Sequence, residues 1–228
     1  MKLSVLIPAY NEIETINEIL AIIKSVALSL KLEIIIVDDG STDGTREYLK
    51  EVDDSDIKVF FHPKNYGKGK AIRTAFEKST GDIILIQDAD LEYDPNDYIP
   101  LLKPIISGDA EVVYGNRRGL GSMEKSYARF YWGGRLLTAL TNLLYQTSIH
   151  DEPVCYKVFK RNVLDNITLK CERFEFCPEV TAKVAKAGYK IYEVPISYKP
   201  RKITQGKKIN WKDGVHAIWT LVKYRICN

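Results

Sequence analysis

The sequence is poor in the residues that staple small folds or bind transition metals. Four cysteines and three histidines are spread over 228 residues. Cys155, Cys171, Cys177 and Cys227 show no Cys-x-x-Cys spacing, which argues against a zinc ribbon or a disulfide scaffold and favours a reducing compartment. No apolar run approaches the roughly 18 residues that a membrane-spanning helix needs. Met1-Lys2-Leu3-Ser4-Val5 leads into a strand-like segment without a signal-peptide apolar stretch or cleavage site. A cytoplasmic protein is the resulting expectation. Repeats, low-complexity tracts and linker-like stretches are also missing, so residues 1–228 read as one domain. What remains is ordinary globular composition, with 45% hydrophobic and 28% charged residues, which excludes disorder.

The net charge of +3 hides an asymmetry. Residues 1–114 carry 21 acidic and 12 basic side chains, a net −9, and residues 115–228 carry 9 acidic and 21 basic, a net +12. An acidic half suits a cation. A basic half suits phosphates or an anionic surface.

The first 115 residues alternate strand and helix. Leu3–Ile7, Ile34–Val37, Ile57–Phe61, Ile83–Ile86 and Glu111–Tyr114 are short apolar or β-branched runs. Helical spacing lies between them, at Ile16–Ala27, Lys68–Lys78 and Asn96–Ile106, with Thr42 or Asp43 placed to cap a further helix. This pattern predicts an α/β fold with a mostly parallel sheet covered on both faces. The second half is less regular. Tyr127–Tyr145 and Val180–Ala187 read as helices, with Gly188 closing the second, and Ile191–Ser197 as a strand. Lys199–Lys212 holds six basic residues and no acidic one and reads as a loop. Trp211, Val215, Ile218, Val222 and Ile226 mark one face of a last amphipathic helix, suited to a membrane surface or to the core.

Ligands of open parallel sheets bind at the carboxyl ends of the strands. Pro8-Ala9-Tyr10-Asn11-Glu12, Asp38-Asp39-Gly40-Ser41-Thr42-Asp43, His62–Gly69 and Gln87–Glu92 follow the first four strands in turn. Asp88-Ala89-Asp90 is the sharpest of these. Two carboxylates two residues apart just past a buried strand can grip a hard divalent cation, which leaves room for water and phosphate oxygens. Asp38 and Asp39 fit either turn chemistry or hydrogen bonds to a base or ribose. Asn65-Tyr66-Gly67-Lys68-Gly69-Lys70 matches neither the Walker pattern nor GxGxxG, which weakens a kinase or dehydrogenase reading.

Taken in order, these four blocks resemble the nucleotide-sugar domain of glycosyltransferase family 2, and the resemblance implies the GT-A fold over nearly the whole chain. Gly115-Asn116-Arg117, Asp151 and the basic Tyr198–Lys208 segment resemble its polyprenyl-phosphate branch, the dolichol-phosphate mannose synthase-like enzymes. The resemblance implies a role for each matching residue. Pro8, Tyr10 and Glu12 would line the base pocket, Asp39 would touch base or ribose with Asp38 beside it, and Lys68 would sit near the nucleotide. Asp88, Ala89 and Asp90 would meet the diphosphate, with Mg²⁺ or Mn²⁺ on Asp88, Asp90 and Glu92. Arg117 and Arg129 would hold an acceptor phosphate, and Arg201 and Lys207 would close over the diphosphate on a basic lid. Asp151 would act as general base toward a hydroxyl acceptor or as an orienting group beside a phosphate acceptor. Either Glu175 or Glu179 could reach the donor sugar, and Glu179 fits a charge near a helix start equally well. His150 and His216 read as structural.

The implied reaction is an inverting, metal-dependent transfer of a sugar from a GDP- or UDP-sugar to a lipid phosphate, with no nucleic acid involved. The enzyme could lie peripherally on the cytoplasmic face of the membrane. Transfer to a saccharide or protein hydroxyl stays open, as do a silent nucleotide-sugar-binding or membrane-docking module and a nucleotidyltransferase.

Overall fold

The computed structural model describes residues 1–119, 128–201 and 211–227, with backbone alone for residues 128–130. Seven strands form one sheet: β1 (Lys2–Ala9), β2 (Lys31–Asp38), β3 (Ile57–Phe61), β4 (Ile83–Ile86), β5 (Val112–Asn116), β6 (Lys157–Lys160) and β7 (Ile191–Pro195). Their spatial order is β3-β2-β1-β4-β6-β5-β7. β1 pairs in parallel with β2 and β4, β2 with β3, and β5 with β7. β6 runs antiparallel to both β4 and β5.

Burial explains the centre of the sheet. Val5, Leu6 and Ile7 of β1, Ile34–Val37 of β2 and Ile83–Ile86 of β4 are at most 2% exposed. Each such side chain contributes roughly 1.5–3 kcal/mol relative to leaving it in water. The apolar run stops at Pro8, but β1 continues through it to Ala9. Pro8 pairs with Val37 and shares the parity of Leu6, whose carbonyl accepts from Gln87 of the neighbouring β4 chain. β4 stops at Ile86, so the missing N–H of Pro8 falls where no ladder bond is required.

β6 is a correction to the expected pattern, because its apolar run is interrupted by Lys157. That side chain is fully buried. Its Nζ donates to the Glu152 carbonyl at 2.7 Å and lies 3.7 Å from the Tyr114 ring centroid. A lysine satisfied in this way is a strand residue that periodicity reads as exposed.

The helices are α1 (Ile16–Ser25), α2 (Thr45–Lys50), α3 (Lys68–Lys78), α4 (Tyr98–Ser107, entered through a 3₁₀ turn at Pro95–Asp97), α5 (Ala128–Tyr145), α6 (Arg161–Asp165), α7 (Phe176–Lys186) and α8 (Trp211–Ile226). α2 begins after Gly44, but Asp43 still accepts from Thr45 N at 3.0 Å. Gly188 takes the left-handed conformation, φ +84°, just past α7. α3 packs on β1 and β2, and α4 on β5 and β6. α5, α7 and α8 share a smaller core of Leu137, Ala182, Ala217, Leu221 and Tyr224.

α8 departs from its sequence pattern. The face it buries is Ala217, Thr220, Leu221 and Tyr224, spaced i, i+3, i+4, i+7. The bulkier apolar positions Trp211, Val215 and Ile226 are exposed. Among the described residues no helix is long and apolar enough to cross a membrane.

Candidate functional site

Parallel pairing carries the segments after β1, β2, β3, β4, β5 and β7 to one edge of the sheet. The segment before antiparallel β6 arrives at the same edge. Residues 10–12, 38–43, 62–68, 87–92, 116–118, 150–156 and 196–201 therefore converge, although they come from most of the chain.

At the end built by β1–β4, carboxylates dominate. Lys68, in the first turn of α3, places Nζ 2.5 Å from Asp88 Oδ1 and 3.4 Å from Cys155 Sγ. Arg201 grips Glu12 with both terminal nitrogens, Nη1 to Oε2 at 3.0 Å and Nη2 to Oε1 at 2.9 Å. Its Nη2 also lies 3.0 Å from Asp90 Oδ2. The chain carrying Arg201 is held by Glu92. Oε2 accepts from Tyr198 Oη and Oε1 from Arg201 N, both at 2.8 Å, and the Glu92 carbonyl accepts from Lys199 N at 2.9 Å. Asp90 has its carboxyl pushed up to about 7, first by burial and then by the charges of Asp88 and Glu92, against the opposing pull of Arg201. Leu91 stands between these carboxylates at φ +59°. That conformation costs a non-glycine residue about 1–2 kcal/mol and is typical of functional turns.

Four carboxylates, Glu12, Asp88, Asp90 and Glu92, face two cations, Lys68 and Arg201. The carboxyl of Asp90, raised first by burial and then by Asp88 and Glu92, registers that crowding. Hard oxygen donors crowded in this way, at Asp88 and Asp90, fit a divalent cation such as Mg²⁺ or Mn²⁺. Glu92 does not complete a cage with the two aspartates. Among the described residues no group of three His, Cys, Asp or Glu side chains is arranged to hold a metal ion, and the oxygens of Glu92 are turned to the 198–201 segment. The expected set of Asp88, Asp90 and Glu92 is thus not gathered as three ligands among the described residues.

Asp38 and Asp39 lie beneath this end. Asp38 is fully buried, accepts from Ser41 N at 3.2 Å and from Arg46 Nε at 2.8 Å, and so faces α2 and away from any pocket. This corrects its expected place in the nucleotide pocket. Asp39 Oδ1 meets His62 Nδ1 at 2.7 Å and Tyr66 N at 3.0 Å, and Oδ2 accepts from Gly67 N at 2.7 Å. Three of about four acceptor sites of that carboxylate are thus spent on the loop entering α3. Gly67, at φ +110°, belongs to the same device, because a Cβ there would come 2.5 Å from the Glu172 carbonyl. Pro8 and Tyr10 are half-buried at the end of β1, and Ala89 is 2% exposed.

At the end built by β5–β7, arginines dominate. Arg117 forms a two-pronged pair with Asp151, Nε to Oδ2 and Nη2 to Oδ1, each at 2.7 Å, and its backbone N–H donates to Oδ2 at 3.1 Å. Nη1 is 3.5 Å from Tyr93 Oη, and the guanidinium lies over the Tyr198 ring at 4.8 Å. Burial works to raise the Asp151 carboxyl, but the Arg117 guanidinium outweighs it and holds the group below the usual carboxylate range. A buried carboxylate held in this way fits the orienting role, one of the two expected of Asp151, by fixing Arg117. Arg118 differs. Its Nη1 donates to the His150 carbonyl and its guanidinium lies 5.5 Å over the Tyr131 ring, and among the described residues no carboxylate pairs with it. Arg129 lies in the first turn of α5, and its side chain is outside the described residues, as are Lys207 and most of the basic loop.

Sequence reasoning missed several supports. Glu193 of β7 accepts from His150 N at 2.8 Å, from Asp151 N at 3.1 Å and pairs with His150 Nδ1 at 2.6 Å. Its signal was a carboxylate inside an apolar strand run. Gln87 Oε1 accepts from Tyr98 and Tyr156 hydroxyls at 2.6 and 2.7 Å and so fixes the chain just before Asp88. Glu179 accepts from Lys170 N and Cys171 N at 2.8 and 2.7 Å, which commits it to the backbone and not to a donor sugar.

Residues 4–168 match the family described as Glycosyl transferase family 2. The dolichol-phosphate mannosyltransferase of Pyrococcus furiosus is 28% identical over 87% of this chain and 56% of its own length. The low-salt glycan biosynthesis hexosyltransferase of Haloferax volcanii is 29% identical over 99% of this chain and 53% of its length. The undecaprenyl-phosphate 4-deoxy-4-formamido-L-arabinose transferase of Sodalis glossinidius is 30% identical over 90% of this chain and 62% of its length. The chain thus spans 53–62% of the length of these relatives. Glucosyl-3-phosphoglycerate synthase of Mycobacterium tuberculosis, crystallised with Mn²⁺, UDP and phosphoglyceric acid, superposes with a TM-score of 0.73 at 22% identity, over 98% of this chain and 78% of that one. At that identity the likeness speaks for the fold alone, and the expected GT-A arrangement holds.

Proposed function

The chain belongs to glycosyltransferase family 2, and on that premise we propose that it moves a sugar from a nucleotide-diphosphate sugar to a polyprenyl phosphate. The observation that carries this reading is the opposite charge demand of the two ends of one sheet edge. Crowded carboxylates stand at Asp88 and Asp90, with the Asp90 carboxyl raised, and the arginines Arg117 and Arg118 stand at the other end. Relatives named for dolichol-phosphate and undecaprenyl-phosphate transfer support the acceptor class.

The donor lies across the ends of β1–β4, near Tyr10 and Asp39, with its diphosphate over Asp88 and Asp90. These two aspartates would hold Mg²⁺ or Mn²⁺, which when bound neutralises charge on the departing diphosphate. Among the described residues, Lys68 and Arg201 are the cations that pair with Asp88 and Asp90. The acceptor phosphate meets Arg118 and the free edge of Arg117, whose plane is fixed by Asp151 and Tyr198. A phosphate oxygen forms the new bond to the anomeric carbon as the bond from that carbon to the diphosphate breaks, with inversion. That nucleophile is already ionised near neutral pH, so the reaction needs no base. This agrees with an Asp151 that is buried, paired and held ionised.

The test is turnover with UDP- and GDP-sugars, Mn²⁺ or Mg²⁺ and a water-soluble short-chain prenyl phosphate. The reading predicts release of a nucleoside diphosphate matched by glycosyl phosphate. Release of pyrophosphate, or transfer to a sugar hydroxyl but never to the phosphate, overturns it.

A further inference from the structure

Four tyrosines cluster between the two ends of the site, and their hydroxyls are used differently. Tyr93 packs against Tyr156 at 4.7 Å and Tyr198 at 5.3 Å, and Tyr98 meets Tyr156 edge-on at 5.8 Å. Tyr98 and Tyr156 donate to Gln87 Oε1, and Tyr198 donates to Glu92 Oε2. Tyr93 Oη instead accepts from Cys155 N at 3.1 Å and faces Arg117 Nη1 at 3.5 Å, the limit of a hydrogen bond. Among the described residues its own proton meets no acceptor. A phenol carries one donor besides its acceptor sites. Tyr93 is only 4% exposed, and a donor left unspent in the interior is unfavourable. Burial also holds this phenol well above its usual value, so the proton stays on the oxygen near neutral pH.

Arg117 supplies the reason for such a donor. Asp151 takes Nε and Nη2 of its guanidinium, so Nη1 is the nitrogen left for a ligand, and Nη1 is the one that faces Tyr93. Two donors 3.5 Å apart can share one oxygen, because an acceptor about 2.8 Å from each completes the triangle. We propose that Tyr93 Oη is a further ligand of the acceptor phosphate, donating to an oxygen that Arg117 Nη1 also holds. The phenol then has both kinds of site in use, accepting from Cys155 N and donating to the phosphate. Two donors converging on one oxygen favour a charged acceptor over a neutral hydroxyl, so Tyr93 also selects phosphate against sugar hydroxyls. Tyr93 follows Asp90 by three residues, and the turn that carries Asp88 and Asp90 thereby reaches both substrates. The inference rests on the phosphate acceptor proposed above and deepens it by naming a residue that recognises it.

The test is calorimetric titration of a water-soluble short-chain prenyl phosphate into the wild type and Tyr93→Phe, which deletes one oxygen and keeps the ring. The expected result is an affinity about tenfold lower in the variant, with affinity for a nucleoside diphosphate and Mn²⁺ unchanged. In turnover the acceptor KM should rise by the same factor, with donor KM unchanged and kcat within about threefold. A melting curve checks that the variant is folded. A crystal structure of the wild type with the same prenyl phosphate gives a reading independent of any variant, and should place Tyr93 Oη within about 3.2 Å of a phosphate oxygen. Unchanged acceptor affinity in the folded variant overturns the inference. So does an equal loss of donor affinity, which assigns Tyr93 to the packing alone, and so does a bound phosphate that Tyr93 does not touch or a wild type that binds no prenyl phosphate. Turnover separates this inference from the one before it. A wild type that binds the phosphate through Tyr93 but never glycosylates it overturns the proposed function and not the role of Tyr93. Glycosylation of the phosphate at an unaltered KM in Tyr93→Phe does the reverse.

Discussion

The two ends of the sheet edge solve opposite electrostatic problems with the same materials. At the β1–β4 end, Asp88, Asp90 and Glu92 crowd together in a buried place, and Asp90 responds with a carboxyl raised to about 7. At the β5–β7 end, Asp151 is matched to Arg117 by two 2.7 Å bonds, and Arg118, whose charge also reaches Asp151, forms no salt bridge of its own among the described residues. Charge that is matched internally builds a scaffold, and charge that is left over calls for a ligand. By that criterion Asp38, Asp39, Asp151, Glu179 and Glu193 belong chiefly to the scaffold, although all but the last were prominent in the sequence. Arg118, which was not prominent, belongs to the site.

The comparison can be broken at several points. Asp90→Ala removes one of the crowded carboxylates. It should cut turnover on the order of a thousandfold, about 4 kcal/mol of transition-state stabilisation, while leaving the thermal midpoint unchanged or slightly higher. Steady-state rates and a melting curve check both halves. Asp39→Asn removes a matched one. It should lower stability by about 3 kcal/mol, since two backbone amides and His62 lose a charged acceptor. For a chain of this length that is a fall of roughly 6–12 °C in Tm.

Glu33 sharpens the same contrast at the other end of the sheet. Burial works to raise its carboxyl, but Lys2, Lys58, Thr80 N–H and Ser4 outweigh it and hold the group well below the usual carboxylate range. A depressed carboxyl contributes stability that is present above its unfolded value, near 4.3, and lost as pH falls toward its folded one. Glu33→Gln should therefore cost about 2 kcal/mol at pH 7 and flatten the decline of stability below about pH 4, read by urea unfolding across pH. The smallest expected effect is Arg118→Gln, with a rise of about tenfold in acceptor KM and kcat within about twofold. An equal loss in kcat would place Arg118 on the transition state and not on the bound acceptor.

Much of this was legible in the sequence because it is local. Strand–helix alternation over the first 115 residues, Lys68–Lys78 as a helix and Ile83–Ile86 as a strand need only periodicity and turn chemistry, and the structure has all three. The converging loops followed from parallel pairing. What could not be read is partnership over long separations. Arg201 reaches Glu12 across 189 residues, and Glu193 reaches His150 across 43. Lys157 hid β6 because its charge is satisfied in the interior. α8 buries a slimmer face than its pattern suggested because Ala217 and Thr220 fit closely against α5 and α7, while its tryptophans do not.

The most direct test of the account is a melting-curve series with Mn²⁺ and a nucleoside diphosphate, UDP or GDP, on the wild type, Asp90→Asn and Asp39→Asn. Ligand that binds the native state raises the midpoint by mass action. The account predicts a metal-dependent rise in the wild type, no rise in Asp90→Asn, and a rise of similar size from a lower starting midpoint in Asp39→Asn. A rise that survives Asp90→Asn, or one that needs no metal, would contradict it.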